Sequence, residues 1–227
     1  LGVQGKGEWL WVKADDVTLK TGANTLALHD VSGFDGRCDV ICLTTESRPR
    51  REFQSLKARL VESDLTVVGG GIAGICTAIS AARLGLKVAL VQDRPLLGGA
   101  NSSEVRVHLG GYQNLGPYPR LGDVVAEIGP KAGGNAQPAE RYEDDRKMAA
   151  VKAEKNITLY LNTRVTAVLL ESDGGVYRTE RSPKAERIRL VSGCDVVSGK
   201  EVSFRSPLFA DCTGDGCVGY LAGADYR

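Results

Sequence analysis

The residues with the clearest chemical spacing are glycines. Gly69, Gly71 and Gly74 stand in Gly69-Gly70-Gly71-Ile72-Ala73-Gly74, which fits G-x-G-x-x-G. In a strand–turn–helix this spacing has a mechanism. The first glycine permits the tight turn, the second lets backbone approach a pyrophosphate, and the third lets helix and strand pack closely. The free N–H groups and positive dipole end of the helix, beginning at Ile72 and Ala73, then face the phosphates. A hydrogen-bonding side chain for a ribose is expected about 20 residues further on. Gln92 and Asp93 occupy that region, and Arg94 follows. With no tight basic cluster there, a 2′-phosphorylated nucleotide is not favoured.

A second set of polar residues lies in 103–109. Glu104, Arg106 and His108 alternate with Val105, Val107 and Leu109. Read as a strand, the segment puts the three polar groups on one face. They are the candidate catalytic groups, with His108 as the base because an unperturbed imidazole titrates near neutrality. The competing interpretation is a solvated strand face.

The elements around the glycines suit their chemistry. LTVV ahead of the glycines is a short β-branched run. Ile72, Ile75, Cys76, Ile79 and Ala82 follow at helical spacing, Gly85 ends the helix, and KVALVQ is a second buried strand. A short helix is expected at 123–128 and a solvated, mixed-charge helix over 139–155. NITLYLNTRVTAVLLES alternates as one strand, and 174–209 reads as a meander or hairpins. Ahead of all this, 1–46 reads as short strands separated by turns at 20–24 and 32–36, and 47–63 as a charged linker.

Composition narrows the classes. Lys plus Arg is 29 and Asp plus Glu 28, giving a net charge of +1. A nucleic-acid binder normally carries a basic excess, so none is expected as a partner. Glycine is 28 of 227 residues, above the roughly 7% of average proteins and without a collagen period. The 2 His and 6 Cys show no zinc or iron–sulfur spacing, so no metal is assigned. The cysteines read as small packed residues, although Cys212 and Cys217 also invite a redox-thiol interpretation. No run reaches the about 20 apolar residues of a membrane span. No signal peptide is visible at Leu1, and the compartment and oligomeric state are left open.

The run VVGGGIAGICTAISAARLGLKVALVQDRPLLGGANSSEVRV, followed by NITLYLNTRV and FADCTGDG, resembles the bacterial FAD-dependent oxidoreductases with a glutathione-reductase-like FAD/NAD(P)-binding domain. The resemblance covers residues 64–227. It implies an α/β, Rossmann-like domain, a parallel sheet with an inserted β-meander, and FAD as cofactor. It places Gly98 and Gly99, with Ser102 of the following S-S pair, near the pyrophosphate and ribityl chain. Backbone around Val165 is offered to the adenine, and Thr213, Gly214 and Asp215 close on the cofactor. The sequence departs from many relatives in having Gln92 where they carry Glu. The resemblance also implies a substrate domain beyond Arg227, so the FAD domain is expected to be incomplete and inactive on its own.

Residues 1–46 are similar to the last strands of a carbohydrate-binding β-sandwich, with Trp9 and Trp11 at period two as a candidate sugar platform. The function expected is therefore an FAD-dependent oxidoreductase that takes hydride from a small-molecule donor, a sugar among the candidates. The alternatives are an NAD(P)-dependent enzyme using the same loop, and a non-catalytic carbohydrate-binding or structural fragment.

Overall fold

The computed structural model describes residues 15–27, 41, 43, 45, 59–111, 113–171, 177–178 and 187–225. The chain divides into two compact units, Leu1–Pro49 and Arg50–Arg227. In the first unit, residues 15–27 are exposed and contain neither helix nor strand, which corrects the short strands expected there. The expected turn at 20–24 is present. Asn24 Oδ1 accepts the Lys20 N–H at 3.0 Å, Asn24 Nδ2 donates to Lys20 O at 2.8 Å, and Gly22 takes φ +102°. Trp9, Trp11, Cys38 and Cys42, with most of the expected β-sandwich, lie outside the described residues.

Among the described residues, the second unit holds two sheets. One is wholly parallel: β2 (Leu65–Val68) lies between β3 (Val88–Val91) and β9 (Leu208–Asp211), and β4 (Ile157–Tyr160) flanks β3. Helix α1 (Ile72–Arg83) is the crossover that parallel β2–β3 pairing requires. The other sheet has the order β1 (Arg59–Glu62), β8 (Glu201–Arg205), β7 (Ile188–Asp195), β5 (Thr163–Leu170), β6 (Tyr177–Arg178). Strands β5, β7 and β8 are antiparallel neighbours, which is the expected inserted meander.

Strand alternation sorts the core into two layers. Leu65, Val67, Val88 and Leu90 pack with Ile75, Ala78 and Ile79 of α1, and with Ile128 and Val151. Val68, Ala89 and Val91 point the other way, onto Val165, Val168, Val191 and Phe204 of the second sheet. Burial on both faces explains why β2 and β3 read as continuous apolar runs. On the helix layer, Arg83 donates to both carboxylate oxygens of Glu127 at 2.9 and 2.8 Å and to Glu154 at 2.6 Å. It thereby ties α1 to α2 (Asp123–Ile128) and to the end of α3 (Asp144–Ala153).

Three further expectations need correction. Residues 59–62, taken as linker, form β1, parallel to β8. The single strand expected from NITLYLNTRVTAVLLES is two strands in different sheets, broken at Asn162, which takes φ +52°. Asparagine tolerates this left-handed conformation better than most residues. The expected 139–155 helix is a 3-10 turn (Ala139–Tyr142) and then α3, separated by Glu143 at φ +48°. Its face is not wholly solvated, for Lys147 and Val151 are buried.

Candidate functional site

The site lies at the carboxyl ends of the parallel strands. The chain leaves β2 toward β3 on one side, and β9 returns on the other. This is the switch point where open α/β sheets bind ligands. Gly69 N donates to Val91 O, and Cys212 N to Val68 O, both at 2.8 Å, so the three strand ends stay in register.

The glycines meet three different demands. Gly69 has φ +104°, and a Cβ there would lie 2.4 Å from Cys212 O. A Cβ on Gly74 would lie 1.7 Å from Gly69 O, so α1 rests directly on the turn. At Gly71 the nearest atom to a Cβ would be Gly99 Cα, 3.9 Å away, and the backbone is extended with φ −68°. Protein packing does not fill this position. It opens at the N-terminus of α1, which has no side-chain cap and no acidic residue in its first turn. The first helical bond is Ile75 N to Gly71 O at 2.9 Å, which leaves the N–H groups of Ile72, Ala73 and Gly74 without helical acceptors. Such an end is suited to a diphosphate.

The loop after β3 forms the opposite wall. Gly98 N donates to Gly70 O at 2.8 Å, Gly71 and Gly98 form a parallel bridge, and Gly99 approaches Gly71 Cα. Gly98 and Gly99 take φ +118° and +57°. Ser102 is buried and its hydroxyl donates to Gly99 O at 2.7 Å, so it shapes the wall from behind. Asn101 is also buried; its Nδ2 donates to Val107 O at 2.9 Å, while its Oδ1 has no partner.

Where a ribose is expected, the two candidates separate. Gln92 is buried: its Oε1 accepts Gly70 N–H at 2.7 Å and its Nε2 donates to Leu96 O at 3.2 Å. Both ends of the amide are engaged within the protein, so Gln92 braces the glycine loop. Asp93 is exposed. Arg94 pairs with Glu104 at 3.2 Å, and its carbonyl accepts the N–H of Asn162. That last bond brings the start of β5 beside the end of β3, with Val165 two residues past Thr163 in β5.

The turn after β9 is organised by Asp211, which lies inside FADCTGDG but was not among the candidate site residues. Its Oδ1 accepts the Thr213 N–H and hydroxyl at 3.1 and 2.6 Å, and its Oδ2 accepts Gly219 N–H at 2.8 Å. Thr213 Oγ1 in turn accepts the N–H of Cys217, the first residue of α4 (Cys217–Leu221). Gly214 and Asp215 are left exposed at the tip. The legible signal was an Asp two residues before a Thr, an Asx-type turn.

Glu104, Arg106 and His108 do not share a strand face. Residues 103–109 contain no strand, and Arg106 has φ +64°. Glu104 is engaged with Arg94, Arg106 Nε donates to Ser103 O at 2.8 Å, and His108 Nδ1 lies 2.9 Å from Asn135 Oδ1. Burial pushes the thiols of Cys76, Cys194, Cys212 and Cys217 up, away from the reactive thiolate. Among the described residues no cluster of three His, Cys, Asp or Glu is placed to hold a metal, and no helix is long and apolar enough to cross a membrane.

This geometry agrees with the sequence comparisons. The model of the family described as FAD dependent oxidoreductase matches residues 64–227, and that of pyridine nucleotide-disulphide oxidoreductase matches 4–112. The chain belongs to the FAD dependent oxidoreductase family, and its cofactor is FAD. The aerobic glycerol-3-phosphate dehydrogenase of Staphylococcus aureus (strain USA300) is 38% identical over 80 residues, which are 35% of this chain and 14% of that protein. The chain thus matches a small part of that relative's length. Among solved structures, Thermovibrio ammonificans THI4 aligns with TM-score 0.45 and 19% identity over 70% of this chain and 61% of that one. The L-proline dehydrogenase of P. horikoshii aligns with TM-score 0.42 and 19% identity over 70% and 24%.

Proposed function

We propose that the chain holds FAD across the crevice between β2 and β9 and serves an enzyme that oxidises a small hydroxylated donor. The observation that carries this is the open position at Gly71, where the uncapped start of α1 faces the Gly98–Gly99 wall. The N–H groups of Ile72, Ala73 and Gly74 would bind the diphosphate. Gly98 and Gly99 would lie along the pyrophosphate and ribityl chain. Thr213, Gly214 and Asp215 would close the third side, and the backbone near Val165 and the exposed Asp93 would serve the adenosine. When bound, the flavin supplies two-electron redox chemistry, and the protein supplies position and electrostatics.

The donor class rests on two supports. The curated relative is named for glycerol 3-phosphate, a hydroxylated small molecule. The second is the likeness of the N-terminal sequence to a carbohydrate-binding module, on which a sugar or sugar derivative remains a candidate, although residues 15–27 form no strand. His108 is retained as the candidate proton acceptor, since the Nδ1–H donated to Asn135 Oδ1 leaves Nε2 as the basic nitrogen.

The test is an absorbance spectrum of the purified full-length protein, then anaerobic addition of polyols, sugars and their phosphates. Flavin bands that bleach with one of these donors support the proposal. A protein that takes up NAD(P) and no flavin refutes it. Bound flavin that no hydroxylated donor bleaches refutes the donor class alone.

A further inference from the structure

Lys147 is fully buried and had no place in the motifs. It sits in the first turns of α3, where a cation opposes the helix dipole, and burying an ammonium is costly unless it is paired. Its contacts explain why it is there. The Nζ donates to Tyr142 O and lies 3.7 Å from Asp144 Oδ1. The two oxygens of Asp144 accept the Ser103 N–H at 3.2 and 3.1 Å. Tyr142 Oη donates to Arg106 O at 2.5 Å. The stem of Lys147 packs under the loop: a Cβ on Gly98 would lie 3.0 Å from its Cδ and 3.1 Å from its Cε. On its other side Gly98 is bridged to Gly71. Burial pulls the ammonium below its ordinary range, and Asp144 opposes that shift.

Lys147 therefore connects to the loop 98–106 at three points: Gly98 by packing, Ser103 through Asp144, and Arg106 through Tyr142. The walls themselves, 69–74 and 98–102, contain no Lys or Arg. We infer that Lys147 is a positioning residue for the diphosphate end of the cofactor, a buried latch that holds the 98–106 loop against Gly71. The inference rests on the FAD assignment.

The experiment compares the wild type with Lys147→Met, which keeps the stem and removes the charge, and Asp144→Asn, whose side chain is partly exposed. FAD, ADP and adenosine are titrated into flavin-free full-length protein, well below each variant's melting temperature. Both variants are expected to lose about tenfold in affinity for FAD and ADP, the effect of one charge-assisted hydrogen bond, with adenosine affinity unchanged. A residue that only stabilises the fold would lower ADP and adenosine binding together. If Lys147→Met does not fold, Asp144→Asn decides the question alone. ADP and FAD affinities within twofold of wild type, or adenosine falling in parallel with ADP, overturn the inference and leave the FAD assignment standing. A wild type that binds neither FAD nor ADP overturns both.

Discussion

The side-chain amide of Gln92 and the backbone of Gly70 are joined by a 2.7 Å hydrogen bond, N–H to Oε1. The bond ties the end of β3 to the middle of the glycine loop. Removing it in Gln92→Ala leaves a buried N–H without an acceptor. A loss of about 1–3 kcal/mol in stability is expected, together with weaker FAD binding, measured by thermal melts and by equilibrium dialysis. Gln92→Glu keeps the acceptor for Gly70 but sets a carboxylate oxygen against Leu96 O, so its effect should be intermediate. A Gln92→Ala protein with wild-type melting would show that the brace is dispensable.

Asp93 behaves as the complement. Being exposed, it should cost less than about 0.5 kcal/mol of stability when changed to Ala. Weaker FAD binding at unchanged melting would assign it to the ribose. Unchanged binding would remove it from the site.

Gly71 and Gly74 should fail in opposite ways. Gly71→Val meets no atom nearer than 3.9 Å with its Cβ and should fold normally, yet fill the space a pyrophosphate needs. The expected result is a melting temperature close to wild type and flavin content near zero. In Gly74→Ala the added carbon falls 1.7 Å from Gly69 O. That variant should lose about 1–3 kcal/mol or more through overpacking, seen in its urea midpoint. Retained flavin in Gly71→Val would exclude this crevice as the diphosphate site.

Asp211→Ala removes the acceptor of three bonds, two from Thr213 at the start of the 213–216 turn and one from Gly219 of α4. Flavin release should speed up while the parallel sheet persists, which stopped-flow fluorescence and far-UV circular dichroism would separate. Unchanged release kinetics would show that this turn does not close on the cofactor.

The raised pKa values of Cys212 and Cys217 carry a sign. A thiol pushed up has less thiolate at neutral pH than a free one, so iodoacetamide should label both more slowly in the native protein than in urea. Mass spectrometry of the labelled peptides reads this directly. Rapid native labelling of either would restore the redox-thiol interpretation.

The parts of this fold visible in the sequence are those with local causes. The β2–α1–β3 unit announces itself because Gly69 takes a positive φ, because Gly74 packs on Gly69 five residues before it, and because β2 and β3 are apolar on both faces. The turn at 20–24 and the hairpin at Asp195, whose Oδ1 accepts the N–H groups of Val197 and Ser198, are equally local. What escaped depends on distant partners. The β1 strand exists only because β8 pairs with it, and nothing in 59–62 names that partner. The alternating pattern continues through Asn162, so the change of sheet leaves no mark. Gln92 was found by position, but its partner Gly70 was not. The helix around Lys147 has the composition of a solvated surface, and only the packed loop reveals that one of its charges is inside.

The pairing of β2 with β9 also has a temporal meaning. Thr66 of β2 and Ser206 just before β9 share a 2.6 Å hydroxyl bond across a separation of 140 residues, and the nearest backbone to the Gly69 turn belongs to Cys212 and Thr213. During synthesis the glycine loop leaves the ribosome long before the strand that completes its crevice. Closing so long a loop is entropically costly and slow. The nascent chain must therefore carry a half-built crevice until β9 arrives, and the proposed site for FAD is complete only once that strand has paired.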